Sequence, residues 1–265
     1  PDAVADPDVR QAFLRDIRIM ASLKHPALFQ VYDVVELDAA LAVVMEHLTG
    51  TPLRHYVRQR GHAEEPKALT IARWVAEGLC FVYEKTGLVH RALTPDQVWI
   101  DADGQVKMVG LGFHAIVEKI GYSAADLPFL APELIRRLGD PDYRADLYAL
   151  GALLYFMVTG RAPFEGYSVE QVISLAVKGQ VPAPMALTDG SSMAFNQFLA
   201  RMMMKEPAHR YAGWRTAMQE MDKVLDGAKF LLSGRKVGGI STILMPLSGA
   251  PARGAGTGAA SSPGA

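Results

Sequence analysis

The sequence predicts an α+β fold, with a short strand-bearing N-terminal part and a larger, mainly helical part behind it. Three observations carry this reading. Apolar residues recur at helical spacing in several long stretches, and two pairs of short apolar runs flank turn residues, which is strand patterning. The chain has 265 residues and is 50% hydrophobic, enough for a sizeable core.

In chain order, residues 1–9 read as an irregular lead-in. Phe13, Ile17, Met20 and Leu23 keep helical spacing over Val9–Leu23. Lys24-His25-Pro26 ends that helix, because proline has no N–H and crowds the preceding turn. Leu28–Leu37 and Leu41–Glu46 form a strand pair around Asp38-Ala-Ala. Gly50-Thr-Pro-Leu53 opens a helix near residues 52–60, since proline is tolerated in a first turn. Over residues 66–86 a long helix offers Leu69, Ile71, Val75, Leu79 and Val82 to its buried face. Val98–Ile100 and Gln105–Val109 flank Asp101-Ala-Asp-Gly104, a hairpin signal. The longest apolar run, Ala149–Val158, falls short of the roughly 18 residues of a membrane span and reads as a buried core helix. Beyond Leu225 the pattern breaks into apolar islands, Phe230-Leu-Leu232 and Ile240–Leu247, followed by a Ser/Gly/Ala/Pro-rich stretch over 248–265 that reads as a flexible linker. Three units are expected: 1–48, 49–227 and the tail 228–265.

With 27 basic against 28 acidic residues, nothing in the total points to nucleic acid or another polyelectrolyte. The single cysteine, Cys80, excludes an internal disulfide framework and suits a reducing, cytoplasmic setting. Its apolar neighbours Leu79 and Phe81 make it a buried small hydrophobe. No signal peptide opens the chain, which starts at Pro1.

The stretch that organises the rest is Leu88-Val-His90-Arg91-Ala92-Leu93-Thr94-Pro95-Asp96-Gln97-Val98. Placed between a long helix and a hairpin, it resembles the catalytic loop of protein kinases, His-Arg-Asp-Leu-x-x-x-x-Asn. More motifs follow in family order: Gly110-Leu111-Gly112 where Asp-Phe-Gly belongs, Ala131-Pro132-Glu133, Asp146-Leu-Tyr148-Ala-Leu150-Gly151, and Lys205-Glu-Pro207-Ala-His-Arg210. The resemblance covers roughly residues 10–226 and has a bacterial serine/threonine-kinase flavour. It implies the protein-kinase fold, with a helical large lobe and a truncated small lobe. The first three strands, with their glycine-rich loop and lysine, are not in this sequence; either the chain is a fragment or its small lobe is reduced.

What the resemblance implies for chemistry is loss. The family's loop Asp accepts the substrate proton and its Asn helps to hold magnesium; here those positions are Ala92 and Gln97. Thr94 replaces the usual Lys, and Gly110 replaces the metal-binding Asp. The cleft would be lined by the hinge residues Met45, Glu46 and Leu48, with the bulky Trp99 as its floor. Asp96, His114 and Glu118 read as solvated groups rather than rescuers. The scaffold positions are retained. Glu133 and Arg210 form the family's buried ion pair, while Met20, Val31, Leu111 and His90 form its apolar stack, anchored by Asp146. Two readings stand for Asp16: the shortened counterpart of the family's helix Glu, or a solvated charge. Two also stand for Arg91: a fork for a phosphate on Tyr122 or Ser123, or a scaffold donor. The implied function is a pseudokinase, a binding or regulatory scaffold for protein partners within a longer protein, needing no cofactor. The rival is an atypical serine/threonine kinase with ATP binding or weak transfer.

Overall fold

A computed structural model of the chain describes residues 5–37, 40–188 and 190–236. Its first helix, α1 (Pro7–Ser22), begins two residues before the expected Val9. The Asp6 carboxylate accepts from the N–H groups of Asp8 and Val9, and Pro7 fits a first turn where no N–H is needed. Phe13, Asp16, Ile17 and Met20 form the buried stripe of α1.

β1 (Val31–Leu37) and β2 (Ala40–Met45) pair antiparallel, Val34 opposite Val43 and Val35 opposite Ala42. Their inner face, with Val34, Leu41 and Val43, packs on the core. A second sheet is ordered β3 (Thr51–Pro52), β4 (Val98–Ile100), β5 (Val106–Met108). Trp99 pairs with Pro52 on one side and Lys107 on the other. The turn between β4 and β5 closes by Gly104 N–H donating to Asp101 O, with Gly104 at φ +80°. Residues 27–29 stitch the two sheets together: Met108 N–H donates to Ala27 O and Phe29 N–H to Met108 O. The small lobe is therefore one helix and a strand pair, riding on the floor of the larger one.

The helices α2 (Leu53–Arg60) and α3 (Glu65–Thr86) follow the sequence expectation closely. α6 (Tyr143–Thr159) is the axis of the large lobe, with every residue from Ala145 to Val158 buried. Gly151 permits a close approach there, since a Cβ would sit 2.8 Å from Met203 Cγ. α3 and α8 (Met193–Met202) pack on α6, α9 (Trp214–Lys236) packs on α3 and α8, and α7 (Val169–Lys178) lies against residues 127–129. The segment between Gly112 and Ala131, unassigned from sequence, holds α4 (His114–Ile120) and a 3-10 turn, Leu127–Phe129. α5 (Pro132–Arg136) follows it.

One boundary is corrected. The expected break after residue 227 falls inside α9, which runs to Lys236. Met221, Val224, Leu225 and Ala228 continue a buried helical stripe against α3, while Gly227 lies on the exposed side and interrupts nothing. The rest of the tail, with Ile240–Leu247, lies outside the described residues. Among the described residues no helix is long and apolar enough to cross a membrane.

Candidate functional site

The loop between α3 and β4 is pinned from below. The Asp146 carboxylate, on the first turn of α6, accepts from His90 N–H (2.7 Å) and Arg91 N–H (2.9 Å). Arg91 takes φ +62° to present its amide, a conformation that costs a non-glycine residue about 1–2 kcal/mol. Burial pushes the Asp146 carboxyl up to about 7, opposed by those two N–H donors. His90 is fully buried, and its Nε2 is 2.9 Å from Val109 O. Burial takes the His90 imidazole down to about 4, so at neutral pH it is an uncharged core group. Met20, Val31 and Leu111, the other members of the expected stack, are each no more than 5% exposed and share one core.

At the chemistry-bearing positions the side chains turn inward or onto each other. Ala92 and Thr94 are buried. Gln97 folds back on its own loop, its Oε1 accepting from Thr94 N–H (2.7 Å) and Thr94 Oγ1–H (2.9 Å). Gly110 has φ +87°, and a Cβ there would lie 3.1 Å from Gln97 Cγ and 3.3 Å from His90 Cε1. The longer Gln97 side chain thus occupies room beside position 110. Asp96 is engaged by Arg54 Nε at 2.7 Å. A magnesium site asks for one or two carboxylates with free oxygens. Here the one side-chain oxygen at positions 92, 97 and 110 is already taken by Thr94, so these residues do not fit the ion. Among the described residues no three His, Cys, Asp or Glu side chains gather as a metal would require.

The cleft side is tied by a residue that the motif reading passed over. Lys107, cross-strand partner of Trp99, reaches both oxygens of Glu46 at 2.6 and 2.7 Å. Glu46 N–H donates to Gln30 O, and Glu46 Oε1 accepts from Gln30 N–H. Directly paired residues share a sheet face, so Trp99, Lys107 and Glu46 converge on one side. Val98 and Ile100 face the core, and Trp99 is half-buried with its Nε1–H donating to Asp96 O at 3.1 Å. Only the register across the Asp-Gly turn would have singled out Lys107.

The solvated reading fails for both Asp16, one of the two readings it had, and His114. Neither is solvated: Asp16 has no exposed surface, and the His114 side chain is 12% exposed. His114 Nδ1 lies 3.4 Å from Asp16 Oδ2, and Arg15 Nε donates to Asp16 Oδ1 at 3.0 Å. Burial, then the nearby Arg91 charge, lowers the His114 pKa, against the pull of Asp16 and Glu118. Tertiary packing caused the change: Asp16 lies on the apolar stripe of α1, and α4 closes over it. Phe113 meets Phe13 edge-on at 5.1 Å, and Lys119 Nζ reaches Asp6 at 2.7 Å. Glu118 is not free either, lying 3.4 Å from Arg91 Nη1, whose Nη2 is 2.5 Å from Asp140. Arg91 therefore faces two carboxylates. Tyr122 donates to Arg91 O at 3.4 Å, and Ser123 Oγ to Asp126 at 2.6 Å.

Behind the site, Arg210 is a hub. Its guanidinium is bidentate to Glu133 (2.6 and 2.8 Å) and also donates to the carbonyls of Arg144, Met204 and Lys205. The Arg210 side chain is wholly buried and that of Glu133 is 11% exposed.

A small lobe of helix and strands, a pinned loop, a hairpin and a helical large lobe define a kinase-like architecture. The protein kinase domain model matches residues 3–223, and the chain belongs to that family. It is similar to the serine/threonine-protein kinase PknL of Mycobacterium tuberculosis, 32% identical over 205 residues, 76% of this chain and 51% of that protein. Its similarity to PknE of Mycobacterium bovis is 29% over 212 residues, 78% of this chain and 37% of that protein. Sperm motility kinase 3A of Mus musculus is 26% identical over 200 residues. The chain spans between 37% and 51% of the length of these bacterial relatives.

Proposed function

We propose that this is a pseudokinase domain, a kinase fold without phosphoryl-transfer chemistry that serves as a binding or regulatory module for protein partners within a longer protein. The observation that carries it is the closed triad of Gln97, Thr94 and Gly110, in which the metal-facing oxygen is consumed internally and no carboxylate stands at 92 or 110. A general base contributes about 10²–10⁴-fold, and metal charge stabilisation several kcal/mol more. Among the described residues no free carboxylate stands in for either, since the neighbouring Asp96 is paired with Arg54. What the fold retains is mechanical, namely the Asp146 anchor, the buried stack and the Glu133–Arg210 pair. The length of the relatives supports further domains around this one.

The test is incorporation of phosphate from ATP into the protein and into generic substrates, with magnesium or manganese. Background incorporation is expected for the protein and for Ala92→Asp alone. Turnover by either on the order of 1–100 s⁻¹, the ordinary kinase range, would overturn the proposal.

A further inference from the structure

The described part of the large lobe ends close to an apolar surface that nothing in it covers. Met185, Leu187 and Met193 are 48%, 46% and 64% exposed. Asn196 Oδ1 accepts from Met185 N–H at 3.1 Å, which sets Met185 beside the first turns of α8. Next to it opens a cavity of about 480 Å³, lined among others by Tyr155, Pro184, Asn196, Leu199, Met203 and Met204. Methionine-rich surfaces of this kind adapt to apolar side chains, and soluble domains rarely leave them bare without a use.

The geometry of α9 shows what is at hand to cover it. Arg215 is bonded to Glu84, near the end of α3, and Asp222 to Arg73, in its middle, so the two helices run antiparallel. At about 1.5 Å per residue, residues 228–230 come level with Glu65 at the start of α3, and Lys236 stands roughly 10 Å beyond it. Glu65 in turn accepts from Ser192 N–H (2.6 Å) and from the Ser192 hydroxyl (2.9 Å). Ser192 caps α8. The chain therefore leaves α9 beside the N-terminus of α8, at the edge of the apolar surface. It continues Val237-Gly-Gly-Ile240-Ser-Thr-Ile-Leu-Met-Pro-Leu247. Gly238 and Gly239 permit a reversal, and the eleven residues 237–247 reach up to roughly 35 Å when extended, about the diameter of a small domain. A short tether holds such a segment at millimolar effective concentration, ahead of any free partner.

We propose that Ile240–Leu247 docks back onto the surface formed by Met185, Leu187, Met193 and the neighbouring cavity, as an intramolecular strap. The sequence pattern of the segment fits, with apolar Ile240, Ile243, Leu244 and Met245 to be buried and Ser241 and Thr242 to meet the rim. The proposal is independent of whether the domain transfers phosphate.

Hydrogen exchange on the whole 265-residue protein tests it. Amides of 241–245 are expected to exchange at least about tenfold more slowly than those of 254–260 after correction for intrinsic rates, equally at low and high micromolar protein. Leu244→Asp should abolish that protection and speed exchange across 183–197. Met193→Glu, a change at an exposed position, should abolish protection of 241–245 without unfolding the lobe. Exchange of 241–245 at the intrinsic rate, protection indifferent to Met193→Glu, or protection lost on dilution, which would assign the surface to a second copy, each overturns the proposal.

Discussion

At the scale of single residues, the site is shaped by side-chain length. Gln97 is one methylene longer than the family's Asn, and that methylene lies 3.1 Å from where a Cβ at position 110 would be. Gly110→Asp alone is therefore expected to destabilise the domain by about 1–3 kcal/mol, through backbone strain and crowding. Adding Gln97→Asn should recover part of the loss, and a denaturation cycle with additive effects would contradict the coupling. His90 makes a second residue-scale prediction. Its imidazole titrates at about 4 in the fold and near 6.5 when unfolded. The unfolded chain thus binds the proton first as pH falls, and the stability that neutral His90 supplies is lost between about 6.5 and 4. His90→Leu lacks this loss, so relative to the wild type it should gain about 3 kcal/mol over that window. Comparing the two proteins cancels the contribution of Asp146, whose raised pKa works in the opposite direction. Parallel stability–pH curves would show that His90 is not held neutral.

At the scale of elements, Arg210 joins α5, the start of α6 and the segment after α8 through one guanidinium. Arg210→Ala is expected to cost about 3–5 kcal/mol, because Glu133 is left with its charge unpaired. Glu133→Gln on that background should restore part of it, measured by urea denaturation. The clamp of α4 on α1 follows the same logic of local pairing. Phe113 on Phe13, Lys119 on Asp6 and His114 against Asp16 hold the two helices at three points along their length. Sequence periodicity identified α1 but not this clamp. A seven-residue helix has too few turns to print a periodic signal, and its partners lie about a hundred residues upstream.

Across the whole molecule, the question is what the space between the lobes admits. Trp99, the expected floor of that space, is flanked by Pro52 and by Lys107, which is bonded to Glu46. Close packing makes an indole in place of a smaller floor residue a large change of volume. Adenine-nucleotide affinity, read by calorimetry, is expected to be weak and independent of magnesium, and to rise in Trp99→Leu. Tight binding to the unmodified protein, unmoved by Trp99→Leu, would show that the floor does not narrow the cleft.

The sequence by itself determined the family and the order of its longer elements. Motif residues such as Ala92, Gly110, Glu133 and Arg210 carry their meaning in type and spacing, and long helices such as α3 and α6 announce themselves through many apolar repeats. Tertiary structure alone decided whether individual polar groups are solvated or enclosed. Asp16, which the sequence left between two readings, and His114 become buried neighbours only when α4 folds over α1. Lys107 gains its partner only when Glu46, 61 residues upstream, comes beside β5. Helix α9 runs beyond its glycine because Ala228 still has α3 to pack against. Each of these depends on contacts between residues distant in the chain, for which local spacing holds no record.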